Sequence, residues 1–211
     1  MKRVYLVRHG EAYHNLGDPL DNADMHDPIL TKTGIQQCEG LRKKLADAKL
    51  PFDIIVSSPF RRALQTVELA LTEYLQGDNR LPHVVVSPLF EEFGDLPCDH
   101  GSLVYELERQ FPAFNFEQCN DGIFPEKQDL YASTPDMLKR RCQIAKRFLD
   151  SLPYDRILVV THATLLRFLL SDLNSSEAPV ATPRNHFQNC ELKAFDLKKL
   201  ANGDCVFETV A

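Results

Sequence analysis

The sequence predicts an α/β fold, a three-layer α/β/α sandwich in which helices cover both faces of a mostly parallel, mixed sheet. Short apolar segments of strand length alternate along the chain with longer segments of helical periodicity, an order typical of α/β proteins. Several short segments are apolar at successive positions, as expected for parallel strands buried on both faces. With 211 residues, of which 44% are hydrophobic, the chain can form one domain over residues 1–211 around a full core.

Three strands and two helices are predicted in the first part of the chain. The strands are the apolar segments 2–8, 53–57 and 83–86, and the helices are 34–49 and 60–75. Thr31 is a suitable N-cap for the first helix, and Pro51 ends it. Pro59 lies near the start of the second helix, where proline is tolerated. A polar loop, residues 10–30, separates the first strand from the first helix.

The alternation stops between residues 88 and 134, where aromatic residues and prolines are frequent and no clear periodicity is present. So long an irregular segment inside a compact domain is commonly a functional lid or an insertion, and we predict that role here. Its aromatic side chains could form an apolar wall over a binding site or anchor a small core beneath the lid. They are Phe111, Phe114, Phe116, Phe124 and Tyr131.

The alternation resumes after residue 134. The remaining elements are a helix over 135–152, a strand over 156–161, a helix after His162 and two final strands at 189–197 and 204–210. Ser133 or Thr134 is the predicted N-cap of the first of these helices, and Pro135 occupies its first turn. Asn202-Gly203 is a common hairpin turn. The last two strands are therefore predicted to supply an antiparallel edge strand.

Composition and charge exclude several classes of protein. The net charge is −6 and no basic stripe is present, so we expect no nucleic-acid partner. No apolar run approaches the ~18–20 residues that span a membrane, and the apolar stretch after Met1 is too short for a secretory signal. The six cysteines include no C-x-x-C pair, and Cys98-Asp99-His100 alone makes a poor zinc site. We expect reduced thiols, no metal and a cytoplasmic or nuclear location.

Three of the predicted strands lead into residues that a purely structural strand does not need. They are Arg8-His9-Gly10 after the first strand, Arg61-Arg62 after the second and His162 after the fourth. Ligands of open α/β sheets bind beyond the carboxyl ends of the strands, so these side chains are predicted to meet and form an anion site. Arginine offers paired donors to phosphate oxygens, and a neutral histidine can attack phosphorus. The pattern favours phosphoryl transfer without ATP, since no G-x-x-x-x-G-K segment is present.

Four segments, in this order along the chain, resemble the motifs of the histidine phosphatase superfamily, which includes cofactor-dependent phosphoglycerate mutases and many phosphatases. They are R-H-G-E with a following Asn at 8–15, D-P-I-L-T-K-T-G-I-Q-Q at 27–37, S-S-P-F-R-R-A-L-Q-T at 57–66 and V-V-T-H at 159–162. The resemblance covers nearly the whole chain and implies a phosphoglycerate mutase-like fold.

The resemblance also implies roles for individual residues. His9 corresponds to the nucleophile that becomes phosphorylated, and His162 to a second histidine that stabilises the charge of the phosphoryl group. Arg8 and Arg62 correspond to arginines that grip this group. Asn15 corresponds to a further phosphate contact. Physically, such residues position an in-line nucleophile and neutralise the charge of the equatorial oxygens.

Other residues near these motifs have weaker expected roles. Ala163 follows the second histidine where many members have glycine, and its backbone N–H can still donate to the substrate. Arg61 is interpreted as a surface residue, because Arg62 aligns with the R-A pair of the motif. His14 and His100 either line the site or are solvated loop residues.

The leaving alkoxide needs a proton, and the resemblance implies an acid after the third strand, commonly in an L-x-E segment. Leu89-Phe90-Glu91 fits this pattern, so Glu91 is the predicted general acid, with a pKa raised by burial or by nearby negative charge. The adjacent Glu92 and a neighbouring aspartate such as Asp99 are alternatives, because the spacing here departs from that of commoner members.

The predicted function is metal-independent hydrolysis of a small phosphomonoester through a phosphohistidine, with no cofactor. A phosphoglycerate mutase is an alternative, but the acidic segment 91–99 would repel the second phosphate that a mutase must bind. A phosphate-binding scaffold for protein interaction is an alternative from another class. Neither the physiological substrate nor the oligomeric state follows from the sequence.

Overall fold

The computed structural model describes residues 1–17, 25–75, 83–173, 175 and 179–210. The strands in these ranges are β1 (Lys2–Arg8), β2 (Ile54–Ser57), β3 (His83–Val86), β4 (Arg156–Thr161), β5 (Leu192–Lys199) and β6 (Cys205–Thr209). The α-helices in the same ranges are α1 (Lys32–Ala48), α2 (Arg61–Ala70), α3 (Thr72–Leu75), α4 (Val104–Gln110), α5 (Pro135–Ser151) and α6 (Ala163–Leu169). Every predicted strand is present, with shifted ends in the final pair.

The strands form one sheet in the order β3-β2-β4-β1-β5-β6. Neighbours among β3, β2, β4 and β1 are parallel, whereas β5 runs antiparallel to β1 and pairs antiparallel with β6. The sheet is therefore mixed and mostly parallel, as predicted, and the β5–β6 hairpin supplies its antiparallel edge. The parallel strands β1 and β4 lie side by side, with Arg8 opposite Thr161. The residues that follow these two strands therefore lie next to each other at the same edge of the sheet.

Alternate residues of the strands belong to two separate cores. Tyr5 and Val7 of β1 join a cluster with side chains of α1 and α2, whereas Val4 and Leu6 join a cluster with side chains of α5 and α6. All four are buried, and burial of one large aliphatic side chain contributes roughly 1.5–3 kcal/mol. These two apolar faces explain the continuous hydrophobic segments in the sequence and confirm the three-layer α/β/α architecture.

Two helix starts agree with the predicted capping residues. Thr31 caps α1, and its Oγ1 accepts the N–H of Gly34 at 3.0 Å. At α5 the cap is Thr134 rather than Ser133, because the Thr134 hydroxyl accepts the N–H of Met137. Each cap satisfies a backbone donor that the helix itself leaves free.

The single helix predicted over 60–75 is divided into α2 and α3. The division occurs at Leu71, whose backbone leaves the helical region and ends α2. Next to it, the hydroxyl of Thr72 donates to the Glu68 carbonyl at 2.7 Å, a local bond that competes with the regular helical ladder. Within the described ranges, no helix is both long and apolar enough to cross a lipid bilayer.

The segment over 88–134 is more regular than its sequence indicates. It contains α4, and Asn115 makes two backbone bonds of 2.8 Å with β3, to Val84 and from Val86. This pairing covers the outer edge of the sheet. Only Leu107 is buried among the seven residues of α4, so the helix has no apolar stripe that a periodicity analysis could detect.

The aromatic residues of this segment anchor it to the core. Phe111, Phe116 and Phe124 are buried in the cluster that contains side chains of α1 and α2, and Phe114 packs against the same cluster. Tyr131 is also buried, and its hydroxyl donates to Asp121 at 2.5 Å. Of the two predicted arrangements, the structure therefore shows the core anchor rather than an exposed apolar wall.

Candidate active site

The turn after β1 is packed so closely against its neighbours that residue 10 must be glycine. The His9 N–H donates to the Thr161 carbonyl at 3.0 Å, and the Gly10 N–H donates to Thr66 Oγ1 at 3.0 Å. A Cβ on Gly10 would lie 2.9 Å from the Gly34 carbonyl oxygen, closer than real side-chain contacts allow. These contacts fix the position of His9 at the end of the strand.

The ring of His9 is buried, with one nitrogen hydrogen-bonded and the other free. It is only 2% exposed, and its Nδ1 lies 2.7 Å from the Gly10 carbonyl oxygen. Because a carbonyl can only accept, Nδ1 carries the hydrogen in this arrangement, and the lone pair of Nε2 is free. Burial, reinforced by Arg62 and His14, lowers the pKa of His9 well below its ordinary value of 6.5. The ring is therefore neutral, as nucleophilic attack requires.

His162 follows β4 and lies beside His9, with 5.0 Å between the ring centroids. Its Nε2 lies 2.7 Å from Ser58 Oγ, whereas its buried Nδ1 has no hydrogen-bond partner. Burial, with Arg62 as the next cause, lowers the pKa of His162 well below 6.5. Phe60 packs against the ring with its centroid 5.1 Å away, which holds the imidazole in place.

Two arginines complete the centre, and both have unused donors. Arg62 is fully buried; its Nη1 donates to the Cys98 carbonyl at 2.8 Å, while Nε and Nη2 have no partner. Arg8 donates through Nη1 to the Phe187 carbonyl at 2.9 Å, and its buried Nε has no partner. An unsatisfied donor on a buried charge is costly. Guanidinium donors left free next to each other are expected where an anion binds.

His14 belongs to the same group, although the sequence left its position open. Its ring centroid lies 5.7 Å from that of His9, and its Nε2 accepts from Asn15 Nδ2 at 3.1 Å. Burial, followed by the charges of Arg62 and Arg8, lowers the pKa of His14 to about 3. The neutral ring consequently carries its hydrogen on Nδ1, a buried atom that has no partner.

Asn15, the predicted phosphate contact, orients His14 in this structure. Besides the bond from its Nδ2 to the His14 ring, its Oδ1 accepts the N–H of Ala12 at 3.0 Å. Both polar ends of the Asn15 side chain are thus used within its own turn. Ala163, the other predicted substrate contact, is the first residue of α6 and directly follows His162.

The two adjacent glutamates after β3 have different surroundings. Glu91, the predicted acid, is buried, and its Oε1 accepts from Lys127 at 2.7 Å and from Arg141 at 3.0 Å. Burial raises the pKa of Glu91, and the two cations act against this rise. The carboxyl is therefore tied to the insertion and to α5 by a buried ion-pair network.

Glu92 interacts instead with the arginines of the centre. Its carboxylate accepts the N–H groups of Thr164 and Leu165, each at 3.1 Å, at the start of α6 beside His162. Burial lowers the pKa of Arg8, and the negative charge of Glu92 is the first influence that opposes this shift. The short 3₁₀ turn over Pro88–Phe90 precedes both glutamates and sets the directions of their side chains. The L-x-E spacing alone does not predict these directions.

Comparison with known proteins agrees with this geometry. The sequence model of the histidine phosphatase superfamily (branch 1) matches residues 4–202. This chain belongs to the histidine phosphatase superfamily. It is 31% identical to a probable phosphatase of Schizosaccharomyces pombe, over 99% of this chain and 96% of the relative. It is also 28% identical to a phosphoglycerate mutase-like protein of Arabidopsis thaliana, over 92% of this chain and 83% of that protein.

Comparison with solved structures supports the predicted fold. The solved structure of Bacillus stearothermophilus YhfR superposes with a TM-score of 0.63 at 19% identity, covering all of this chain and 96% of the other. At this level of identity the likeness shows the fold alone. It confirms the phosphoglycerate mutase-like architecture that the sequence motifs imply.

In this histidine phosphatase superfamily member, motif residues outside the centre fix the loops around it. Thr31 Oγ1 donates to Glu11 Oε1 at 2.7 Å, and Gln65 Oε1 accepts the Leu30 N–H at 2.9 Å. The first bond ties the 27–37 segment to the loop that follows His9, and the second ties it to α2. Glu11 thus helps to hold the start of α1 against the loop that follows His9.

Arg61 and Arg62 are neighbours with different environments. The Arg61 side chain donates from Nε to the Asp27 carbonyl at 2.8 Å and remains partly exposed. Arg62 is fully buried, 4.7 Å from the Phe60 ring centroid. The structure thus places Arg62 in the centre and Arg61 at its surface, in line with their predicted roles.

His100 lies half-buried in the insertion, where its Nε2 pairs with Asp95 at 3.1 Å.

The sequence analysis missed two polar partners of the predicted residues. Ser58 contacts His162; its position in the S-S-P segment was the available signal. Lys127 binds Glu91 from the far end of the insertion, a contact 36 residues away in sequence that no local pattern reveals.

Proposed function

We propose that this protein is a phosphomonoester hydrolase that acts through a phosphohistidine at His9. The observation that carries the proposal is the free lone pair of a buried, neutral His9 surrounded by unpartnered N–H donors. These donors belong to Arg8, His14 and Arg62, and Nδ1 of the adjacent His162 is also without a partner. Such a constellation suits a tetrahedral anion, and the chain's residues supply both the nucleophile and the charge stabilisation.

The proposed reaction has two steps. In the first, His9 Nε2 attacks phosphorus in line with the leaving oxygen, the P–O bond breaks and a carboxylic acid protonates the leaving alkoxide. In the second, the same group, now a carboxylate, takes a proton from water, which attacks the phosphohistidine. Cleavage of the P–N bond releases inorganic phosphate and restores neutral His9. The arginines bind the equatorial oxygens throughout both steps.

We assign the proton transfer to Glu92 rather than Glu91. The N–H groups of Thr164 and Leu165 fix the Glu92 carboxyl beside His162, and its charge acts on both arginines. Glu91, in contrast, is engaged by two buried cations.

Replacing Glu92 with glutamine is expected to lower kcat for an alkyl phosphate by roughly 10²-fold, the usual contribution of a general acid. The loss should be much smaller for p-nitrophenyl phosphate, because a phenolate leaves without protonation. The measurement is the ratio of the two kcat values in the variant and in the native protein.

Glu91→Gln is the matched control for that experiment. It should leave the ratio of kcat values unchanged but lower thermal stability, since breaking a buried ion pair costs about 3–5 kcal/mol. A changed ratio in the Glu91 variant, with a native ratio in the Glu92 variant, would return the acid role to Glu91.

His14 is proposed as an additional phosphate donor through its Nδ1–H. Replacing it with phenylalanine keeps a ring but removes the donor, and a hydrogen bond to a charged group contributes about 1.5–3 kcal/mol. We therefore expect the Ki of inorganic phosphate to rise by roughly tenfold or more. Asparagine, whose amide nitrogen can occupy the place of Nδ1, should retain most of the affinity. His83→Phe, at an exposed position of β3, is the control; equal Ki values in all three variants would remove His14 from the site.

Hydrolysis is favoured over a mutase reaction by the charge of the surrounding surface. The segment over 91–99 contains four acidic residues, and a cavity of about 650 Å³ beside it is lined by Asp95, Glu106 and Glu126, with no lysine or arginine among its described lining residues. This acidic surface opposes binding of a second phosphate.

The experiment that tests the proposed function is phosphate release in the presence of chelator. The native protein is expected to hydrolyse p-nitrophenyl phosphate at a rate that chelation does not change, and to show no interconversion of phosphoglycerates when 2,3-bisphosphoglycerate is added. Interconversion faster than hydrolysis would establish the mutase. Absence of both reactions in the folded protein would favour the binding scaffold.

A further inference from the structure

Two cysteine sulfurs touch behind the turn that carries His9. Cys38 lies in α1 and Cys190 in the loop before β5, and their Sγ atoms are 3.6 Å apart. Both residues are buried, Cys38 completely. A disulfide bond has an S–S distance of about 2.05 Å, so the sulfurs need to approach by only about 1.5 Å to form one.

Both cysteines contact the backbone of the proposed centre. The Cys190 N–H donates to the Arg8 carbonyl at 2.9 Å, and the neighbouring Asn189 side chain donates to the His9 carbonyl at 2.9 Å. A Cβ built on Gly10 would lie 3.2 Å from the Cys38 sulfur and 3.3 Å from the Cys190 sulfur. The two sulfurs therefore pack against the turn, and any approach between them moves atoms that hold Arg8 and His9.

The local geometry also favours reaction at this pair. Cys190 has a φ of 56°, a left-handed conformation that a non-glycine residue seldom adopts. A cavity of about 210 Å³ reaches Cys190 between α1 and the start of β5. Its lining is mostly apolar and admits a small neutral oxidant.

The two thiols differ in acidity. Hydrogen bonding from Cys190 is the main influence that lowers the pKa of Cys38, with a further bond to Thr66. The same interaction raises the pKa of Cys190, so Cys38 is the more acidic thiol of the pair. In contrast, burial raises the pKa of Cys142 to about 12, which leaves that thiol unreactive.

From this arrangement we propose that Cys38 and Cys190 are an oxidisable pair whose disulfide lowers the activity of the centre. The oxidant is a hydroperoxide, ROOH. The Cys38 thiolate attacks the terminal oxygen, the O–O bond breaks, and the products are a sulfenic acid and ROH. Cys190 then attacks the sulfenic sulfur, and the S–S bond forms with loss of water. Two thiols lose two electrons in total, and a dithiol restores them by exchange.

The activity part of this proposal rests on the proposed phosphatase function, whereas the modification itself does not. The full chain is treated with hydrogen peroxide, and disulfides are mapped by mass spectrometry of peptides without reduction. We expect a Cys38–Cys190 peptide and a fall from six free thiols to four. Turnover of p-nitrophenyl phosphate should fall by at least tenfold and recover after dithiothreitol.

Variants separate the pair from general oxidation. Cys190→Ser should form no such peptide and should keep its own turnover through peroxide treatment, whereas Cys205→Ser should respond like the native chain. Absence of the Cys38–Cys190 peptide would overturn the modification site, and a complete disulfide with unchanged turnover would overturn the switch. If the reduced protein hydrolyses no ester, the peptide map still decides the first point, and binding of inorganic phosphate before and after oxidation decides the second.

Discussion

Replacing His9 with asparagine is expected to lower kcat for p-nitrophenyl phosphate by at least roughly 10⁴-fold, the scale seen when a covalent nucleophile is removed. The amide nitrogen of asparagine can keep the bond that Nδ1 makes with the Gly10 carbonyl at 2.7 Å, so the turn should retain its shape. What is lost is the lone pair of Nε2. The measurement is steady-state hydrolysis, together with thermal unfolding of both proteins.

The control is His83→Asn, at an exposed position of β3, which should hydrolyse the ester like the native protein.

The neutral state of His9 also predicts how the activity depends on pH. The pKa of His9 in the folded protein lies well below 6.5, so its ring stays unprotonated when the pH falls below 6.5. The contribution of His9 to kcat/KM should therefore stay constant until the pH approaches this lowered pKa. Turnover of His9→Asn within tenfold of the native value would mean that another residue attacks phosphorus.

The second large effect is expected at Arg62. Lysine keeps the charge but cannot supply the unpartnered Nε and Nη2 donors while also binding the Cys98 carbonyl. We expect Arg62→Lys to lower kcat/KM by roughly 10³-fold, within the range of arginines that stabilise phosphoryl transfer. Inorganic phosphate should also bind more weakly, which can be measured by inhibition.

Arg61→Lys is a closely matched comparison, because the two arginines are adjacent in sequence. Arg61 binds the carbonyls of Asp27 and His26 and is partly exposed. Its replacement should change kcat/KM by less than about threefold, as for other surface substitutions. Similar losses in both variants would show that the two residues act on the fold of this loop rather than on phosphate.

The strands and the centre could be predicted because their causes are local in the sequence. A buried parallel strand is apolar at successive positions, and the side chains that follow it must emerge at one end of the sheet. This rule brings His9 and His162 together, although 152 residues separate them in sequence. The N-caps are also local features, because a cap is predicted from its residue type and its position before a helix. The sequence therefore indicated Thr31 for α1 and Ser133 or Thr134 for α5.

The remaining features depend on packing between distant segments. Helix α4 buries only Leu107, so its sequence lacks helical periodicity. The L-x-E motif selects Glu91, but it does not reveal the buried contacts of Glu91 with Lys127 and Arg141. The position of His14 depends on a bond from its own neighbour, Asn15. No pattern of residue types specifies these contacts.

The most direct test of the phosphohistidine mechanism is to trap the covalent intermediate. The native protein is mixed with excess p-nitrophenyl phosphate, quenched in alkali within the first turnovers and digested for mass spectrometry, because phosphohistidine survives alkali and is lost in acid. We expect phosphate on His9, in the N-terminal peptide of the chain, and none in His9→Asn. Rapid turnover with no phosphorylated His9 peptide, or phosphate on His14 or His162 instead, would contradict the assignment of the nucleophile.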